Sequence, residues 1–213
     1  MQMLPVRIQY IPVEMPVKRI YSRMGFRKLS TKLSEKDRTK IDAVLQEGLM
    51  TCSLSGVYVR KKIVQQDERG VTLEGCIRWE SLRLAKFLAN AEDVFLIGAT
   101  AGQNIVDLRE RYLAEENTYH AVILDAFASE MVESAVQWIH DYLARLLRKE
   151  LKTVTTRRYS PGYGDFSLDN QLLFSEFLDL ETTLGVRVSD RYLLLPEKSV
   201  TAVVGILPLQ HSR

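Results

Sequence analysis

The sequence predicts a single mixed α+β domain that spans residues 1–213 and begins with an extended arm of about residues 1–18. A length of 213 residues suits one domain, and 46% hydrophobic with 26% charged residues indicates a packed core. Segments with helical spacing of apolar residues alternate with short segments rich in Val, Ile and Leu. One helical segment, from about His120 to Leu151, contains neither proline nor glycine. We therefore expect strands and helices in one core, with one long helix.

The composition argues against several classes of function. The formal net charge is only +2 and no run of five like charges occurs, so we expect no binding to nucleic acid or to an anionic membrane. No apolar stretch reaches the roughly 20 residues that cross a bilayer. Two cysteines, Cys52 and Cys76, form neither a disulfide framework nor a zinc site and indicate the reducing cytoplasm. The three histidines, His120, His140 and His211, show no metal-ligand spacing.

The first half of the chain contains signals for both helices and strands. Three prolines, Pro5, Pro12 and Pro16, keep the arm out of a helix and favour an edge position. Helices are predicted at Val17–Gly25, from Ser34 with Asp37 at its third position, and from Ser81. Strands are predicted at residues 57–59, 63–64 and 71–75.

A glycine-containing loop follows the apolar strand that begins at Asp93. The loop spans Gly98 to Gly102, and the next helix is expected near Gln103 or Asn104. A helix N-terminus in this position can hold an anion. However, the loop has neither the Lys-Ser/Thr pair of a P-loop nor a complete G-x-G-x-x-G. Small residues that allow close strand–helix packing are therefore the favoured interpretation.

The second half begins with the long helix. Its aromatic residues Trp138 and Tyr142 are expected in the core rather than stacked on a cofactor. Further along, Ser167 or Asp165 is expected to cap another helix, and Gly185 to end it. The last strands are predicted at residues 186–188, 192–195 and 200–207.

Residues 156–166 form an unusual connector. They contain two arginines, a Pro-Gly turn, a second glycine and three aromatic residues. Pro161 fixes one corner of a turn, and Gly162 can adopt the positive φ of the next. A guanidinium held beside exposed backbone groups suits a small ligand that carries a carboxylate. The alternative is an ordinary tight turn whose arginines are merely solvated.

The order of residues in this loop is that of a known family. Residues Arg158 to Tyr163 read Arg-Tyr-Ser-Pro-Gly-Tyr, and Leu195 to Val200 read Leu-Pro-Glu-Lys-Ser-Val. The chain resembles the activation domain of cobalamin-dependent methionine synthase, whose loop reads Arg-x-x-Pro-Gly-Tyr, and it is most similar to short stand-alone members. Val17–Gly25, Ala99–Gly102 and Ile123–Ala126 also fit, so the resemblance covers most of the chain.

The resemblance implies a fold, a ligand and partners. The fold is a bent, largely antiparallel sheet with packed helices. The ligand is S-adenosylmethionine, which methylates reduced cobalamin and so reactivates a separate methionine synthase or related corrinoid protein after oxidation. A flavodoxin-like protein donates the electron. Because the cobalt of the partner's cobalamin is the nucleophile, no catalytic residue or metal ligand is expected in this chain.

The resemblance also implies a set of residues that bind S-adenosylmethionine. They are Arg158, Ser160, Gly162, Tyr163, Gln137 and Glu133. The Arg158 guanidinium would pair with the ligand carboxylate. Ser160 and Gly162 match positions where family backbone groups meet the ligand, and Tyr163 would shape the pocket wall.

Some family contacts differ in this sequence. The family's acidic contact on the long helix falls near Gln137, with Glu133 one turn earlier. A tyrosine contact near the family's C-terminal end has no match in Leu207–Arg213, and an early aspartate has no obvious counterpart in the arm. Two other hypotheses therefore remain open. The chain could be a module that docks on a corrinoid protein without binding the ligand, or an unrelated enzyme with a phosphate site at Gly98–Gly102.

Overall fold

An antiparallel sheet of seven strands forms the centre of the protein. The computed structural model describes residues 4–26, 34–75 and 77–209. The strands are β1 (Val6–Ile8), β2 (Ser55–Asp67), β3 (Gly70–Leu73), β4 (Ile77–Glu80), β5 (Asp93–Thr100), β6 (Lys152–Val154), β7 (Arg187–Val188), β8 (Leu194–Leu195) and β9 (Ser199–Pro208). The sheet order is β4-β3-β2-β5-β9-β6, with β1 also on β2, while β7 and β8 form a separate hairpin.

The long strand β2 bends the sheet. Its first half pairs with β1 and β5, and its second half pairs with β3. The register with β3 shifts between Ile63 and Gln65, and such an irregularity bends a strand and increases its twist. The sheet is therefore curled, and the expected bent, antiparallel sheet is confirmed. The two short strands predicted within residues 57–64 are parts of this single strand.

Seven α-helices surround the sheet in the described part of the chain. They are α1 (Val17–Arg23), α2 (Glu35–Thr51), α3 (Leu82–Phe87), α4 (Gln103–Ala114), α5 (Thr118–Leu147), α6 (Gln171–Leu178) and α7 (Leu180–Leu184). The Ser34 hydroxyl caps α2 by accepting the N–H of Asp37, as the sequence predicts. The long helix is confirmed, with sixteen of its thirty residues buried.

The helices cover both faces of the sheet. Phe95 and Ile97 of β5 belong to one core cluster, together with residues of α2, α4 and α5. Val94 and Leu96 point to the other face and join residues of α3, α6 and α7. A strand covered on both faces has apolar residues at every position, and this explains the continuous apolar run of β5.

The N-terminal segment is joined to this framework by β1, which begins at Val6. Its strand β1 pairs with β2, and Ile11 is 1% exposed in the core. Helix α1 is held on α5 by the buried Glu130 carboxylate, which accepts a hydrogen bond from the Arg23 guanidinium at 2.7 Å. The arginine of the preceding turn, Arg19, forms a second ion pair with Glu130 at 3.4 Å.

Two strands have no clear signal in the sequence. β4 pairs with β3, and β6 pairs with the end of β9. Each is only three or four residues long, too short for a clear apolar pattern, so its pairing partner decides its conformation. Of the two cysteines, Cys76 lies outside the described residues, and partial burial of Cys52 raises the pKa of its thiol to about 12.

Candidate functional site

The loop of residues 156–166 is joined to the sheet at its middle. The N–H of Tyr159 donates to the carbonyl of Val203 at 3.0 Å, and the N–H of Val203 donates back at 2.8 Å. The next residue, Ser160, donates its hydroxyl to the Thr201 carbonyl at 2.7 Å. These bonds extend the sheet beyond β6 and hold the residues on each side of Tyr159 at a defined position along β9.

The Pro-Gly turn has the conformation that the sequence predicts. The N–H of Tyr163 donates to the carbonyl of Ser160 at 3.2 Å, and Gly162 has φ of +89°. A residue with a side chain is strained at this φ, so glycine suits the position. The N–H of Gly162 donates to the Phe166 carbonyl at 2.8 Å and is therefore used within the loop.

Asp165 anchors the far end of the loop to helix α3. Its carboxylate accepts hydrogen bonds from the Ser81 hydroxyl at 2.5 Å and the Leu82 N–H at 2.7 Å. The hydrogen bond from Ser81 is the main reason why the pKa of Asp165 lies below its usual range. The sequence suggested that Asp165 or Ser167 caps the helix that follows. Instead, Asp165 binds the N-terminus of α3, and Ser167 makes no side-chain cap at the 3-10 turn before α6.

The lowered pKa of Asp165 predicts a pH dependence of stability. Asp165 stays ionised to lower pH in the folded protein than in the unfolded chain. Its contribution is therefore complete above about pH 4 and disappears as the pH falls through the lowered pKa. We expect Asp165→Asn to melt below the wild type at pH 7, and the difference to shrink at pH 3. Thermal unfolding at both pH values measures the difference in melting temperature, with the exposed Asp169→Asn as control. The same difference at pH 7 and pH 3 would contradict the prediction.

Aromatic residues form the base under the loop. Phe166 is 1% exposed and meets the Trp79 ring edge to face, with 5.3 Å between centroids. Trp79 in turn stacks on Phe174 of α6 at 5.4 Å. Tyr159 packs on Phe87 of α3. The loop is thus built on a rigid core rather than suspended in solvent.

Two residues of helix α5 bind the Arg158 side chain. The guanidinium donates to the Gln137 side-chain oxygen at 2.7 Å and forms an ion pair with Glu133 at 3.4 Å. The Gln137 amide donates to Asp141 at 2.9 Å. Arg158 is 21% exposed, so its guanidinium is oriented but still accessible from solvent. Glu133 and Gln137 lie 25 and 21 residues before Arg158 in the sequence.

A cavity of about 740 Å³ opens beside this group. Its lining comprises Glu133, Gln137, Thr156, Arg157, Arg158, Tyr159, Ser160, Pro161, Tyr163, Gln171, Leu194, Ser199, Val200 and Thr201. The volume is in the usual range for a small-molecule site. Five of the six residues singled out from the sequence therefore line one cavity. Gly162, the sixth, shapes the turn next to it and is not among the lining residues.

Comparison with known proteins assigns the family. The family model described as "Vitamin B12 dependent methionine synthase, activation domain" matches residues 61–210, which is more than half of the chain. The chain belongs to this family. Among solved structures, it is similar to the "MetH Reactivation Domain bound to AdoHcy", with a TM-score of 0.69 and 10% identity. The similarity covers 100% of this chain and 81% of that one. A comparison with curated proteins finds no match.

The C-terminal strand supplies cavity residues that sequence reasoning missed. Thr201 is 2% exposed and donates its hydroxyl to the Gln171 side-chain oxygen at 2.6 Å. Ser199 and Val200 lie beside it on β9. The sequence contains one indication of them. Residues 198–200, Lys-Ser-Val, directly precede Thr201 and belong to a segment that resembles the activation domain.

Two segments that resemble the activation-domain family, Ile123–Ala126 and Leu195–Val200, meet at one polar cluster. The Lys198 ammonium forms an ion pair with Asp125 of α5 at 2.7 Å and donates to Ser129 at 3.1 Å. The Arg109 guanidinium binds the same Asp125 carboxylate at 2.9 Å and also contacts Glu197. The two cations lower the pKa of Asp125 against the opposing effect of its burial. The cluster holds the start of β9, and hence Ser199 to Thr201, against α5.

In the glycine loop between β5 and α4, the N–H groups of Ala101 and Gly102 are hydrogen-bonded within the protein. The N–H of Ala101 donates to the Lys198 carbonyl at 2.9 Å, and the N–H of Gly102 donates to the Thr100 hydroxyl at 3.1 Å. Gly98 faces Leu180 of α7, and a side chain there would be within 3.1 Å of it. These contacts favour the packing interpretation over an anion site.

In the described residues, no group of three or more His, Cys, Asp or Glu side chains is arranged to hold a metal ion. None of the helices described is long and apolar enough to cross a bilayer.

Proposed function

We propose that this chain binds S-adenosylmethionine in the Arg158 cavity and supports reductive methylation of oxidised cobalamin. The cobalamin would belong to a separate methionine synthase or related corrinoid protein. The observation that carries the proposal is the accessible Arg158 guanidinium, held by α5 at the mouth of a cavity whose loop has the family order Arg-x-x-Pro-Gly-Tyr. Membership of the activation-domain family supports the same conclusion.

The charges around the cavity complement an amino-acid head group. A ligand carboxylate can take two hydrogen bonds from one guanidinium, and Arg158 retains exposed donors for this contact. The Glu133 carboxylate pairs with one terminal nitrogen of that guanidinium while Gln137 binds the other, and it is 43% exposed, so it is available to a ligand ammonium. In this proposal Ser160 and Gly162 contribute backbone groups, Tyr163 forms part of the wall, and Gln137 orients Arg158.

In this reaction the role of the chain is to position S-adenosylmethionine. When the partner is docked, its cobalamin supplies the nucleophile, and a flavodoxin-like protein supplies the electron. The residues of this chain bind the head group and leave the sulfonium methyl directed outward. Neither step needs a general base from the protein. We place this activity in the cytoplasm, in methionine biosynthesis, as the cysteine content and the family suggest.

An exposed apolar rim supports the involvement of a partner. Tyr163 of the loop is 65% exposed, and Leu193 and Leu195 of the β7–β8 hairpin are 54% and 51% exposed. Leu194, between these two leucines, lines the cavity. Exposed apolar groups at the mouth of a site are typical of a surface that another protein covers.

A calorimetric titration tests ligand binding directly. We expect S-adenosylmethionine and S-adenosylhomocysteine to bind the purified protein saturably with one site per chain. ATP serves as the comparison ligand, because it shares the adenosine but lacks the amino-acid head. ATP binding that survives Arg158→Ala, without binding of either adenosyl amino acid, would favour a phosphate site elsewhere.

The second candidate function is docking on a corrinoid protein without the ligand. Gln137 favours it, because an amide stands where the resemblance places an acidic contact and because this amide already occupies one donor of Arg158. No binding at millimolar S-adenosylmethionine, together with association with a cobalamin-loaded methionine synthase fragment, would support this alternative.

A further inference from the structure

The buried side chain of His140 connects helix α5 to the residues that precede Arg158. His140 is 7% exposed, and its Nε2 lies 2.8 Å from the carbonyl oxygen of Thr155. A carbonyl oxygen only accepts, so Nε2 carries the proton in this contact. The other ring nitrogen, Nδ1, is buried and has no hydrogen-bond partner in the described part of the chain. The function proposed above gives His140 no role.

Thr155 connects this histidine to the ligand loop. Its N–H donates to the Gly205 carbonyl at 2.8 Å, and its hydroxyl accepts the Gly205 N–H at 3.2 Å. The same hydroxyl donates to the Arg157 carbonyl at 2.9 Å. Thr155 is 6% exposed; its bond with the Gly205 N–H is buried, and its bond to Arg157 is partly buried. His140 therefore orients a residue that binds the backbone immediately before Arg158.

A second path runs from the same turn of α5 to the Arg158 side chain. Asp141, the neighbour of His140, accepts the Gln137 amide at 2.9 Å, and Gln137 accepts from the Arg158 guanidinium at 2.7 Å. The distance from the Asp141 carboxylate to His140 Nδ1 is 3.6 Å. One turn of α5 thus defines the position of Arg158 through its backbone and through its guanidinium.

We propose that His140 is a positioning residue for the ligand site. Its Nε2 proton fixes the Thr155 carbonyl, Thr155 then fixes the Arg157 carbonyl, and the Arg158 guanidinium is directed into the cavity. This role rests on the proposed function, since its value lies in pre-organising the group that meets the ligand carboxylate.

Amide hydrogen exchange tests the role without any ligand. In His140→Leu, the amides of Thr155 and Tyr159, which donate to Gly205 and Val203, should exchange at least about tenfold faster. Loss of one buried hydrogen bond lowers the cost of local opening by about 1.4 kcal/mol. Amides of the central strand β5 should keep their rates. His140→Gln should restore slow exchange, since its amide nitrogen can reach the position of Nε2. If amide exchange in β5 accelerates as much as in the loop, His140 stabilises the whole fold and the positioning role is wrong.

Thr155→Val is the second variant, and it keeps the carbonyl and the side-chain volume while removing the hydroxyl. It should accelerate exchange of the Tyr159 amide as well, and this measurement can be made even if His140→Leu fails to fold. No local acceleration in Thr155→Val, or in His140→Leu if that variant folds, would overturn the proposal.

Ligand affinity provides the functional measurement. The dissociation constant of S-adenosylmethionine should rise about five- to tenfold in His140→Leu and return close to the wild-type value in His140→Gln. An unchanged affinity in His140→Leu would contradict the positioning role. If the wild type itself binds neither adenosyl amino acid, the proposed function fails, while hydrogen exchange still decides whether His140 orders the loop.

Discussion

Arg158→Ala should weaken the binding of S-adenosylmethionine by about 2–4 kcal/mol, which is about 30- to 1,000-fold in the dissociation constant. The guanidinium is 21% exposed and oriented by Gln137 and Glu133, so a ligand carboxylate would meet a partly desolvated, pre-organised donor. The fold should change little, because partly exposed ion pairs contribute about 1 kcal/mol or less to stability. Calorimetry and denaturant unfolding measure the two effects separately.

Two controls make the result specific to the carboxylate contact. Arg187→Ala removes the same charge from an exposed position, where the guanidinium pairs with Glu181 at the surface, and its affinity should equal that of the wild type. The ligand 5′-methylthioadenosine lacks the amino-acid head group, so it should bind the wild type and Arg158→Ala equally. If S-adenosylmethionine keeps its affinity for Arg158→Ala, the guanidinium is not part of the site.

Trp79→Ala should produce the largest loss of stability, about 3–5 kcal/mol. Trp79 is fully buried, stacks on Phe174 and contacts Phe166 at the end of the ligand loop. Removal of the indole leaves a cavity between β4, α6 and the loop that these rigid elements cannot fill. Urea unfolding should show a lower midpoint with an unchanged slope.

Two further substitutions separate size from polarity. The Trp79 Nε1 is buried without a hydrogen-bond partner in the described residues, so Trp79→Phe keeps most of the ring and removes an unsatisfied donor. We expect it to cost far less than Trp79→Ala. Trp138→Ala is the matched control, because Trp138 is only partly buried and stacks on Tyr142; its cost should be about 1–2 kcal/mol. Equal losses for both alanine variants would show that burial does not explain the effect.

The local sequence predicted much of the fold. The long helix α5, the Ser34 cap of α2, the helix that starts at Ser81 and the Pro161-Gly162 turn all follow from short-range signals. Each depends on spacing, capping or φ preferences within a few residues, so each element can be predicted from its own segment of sequence. The family resemblance extended this to the bent antiparallel sheet and to the identity of Arg158 as the candidate ligand contact.

The contacts that assemble the site depend on tertiary structure. Asp165 caps a helix more than 80 residues earlier in the chain, and no local pattern distinguishes this from a cap on the next helix. The short strands β4 and β6 also become strands only through their partners, β3 and β9.

Local preferences are sufficient to predict a Pro-Gly turn headed by an arginine within residues 156–166, because φ preferences and residue order act over a few residues. The side chains that contact this arginine come from elements distant in the sequence. Helix α5 and strand β9 bring Glu133, Gln137 and Thr201 to the same cavity. Such contacts depend on how the elements pack, and this packing is set by the sum of burial over both faces of the sheet rather than by any nearby residue.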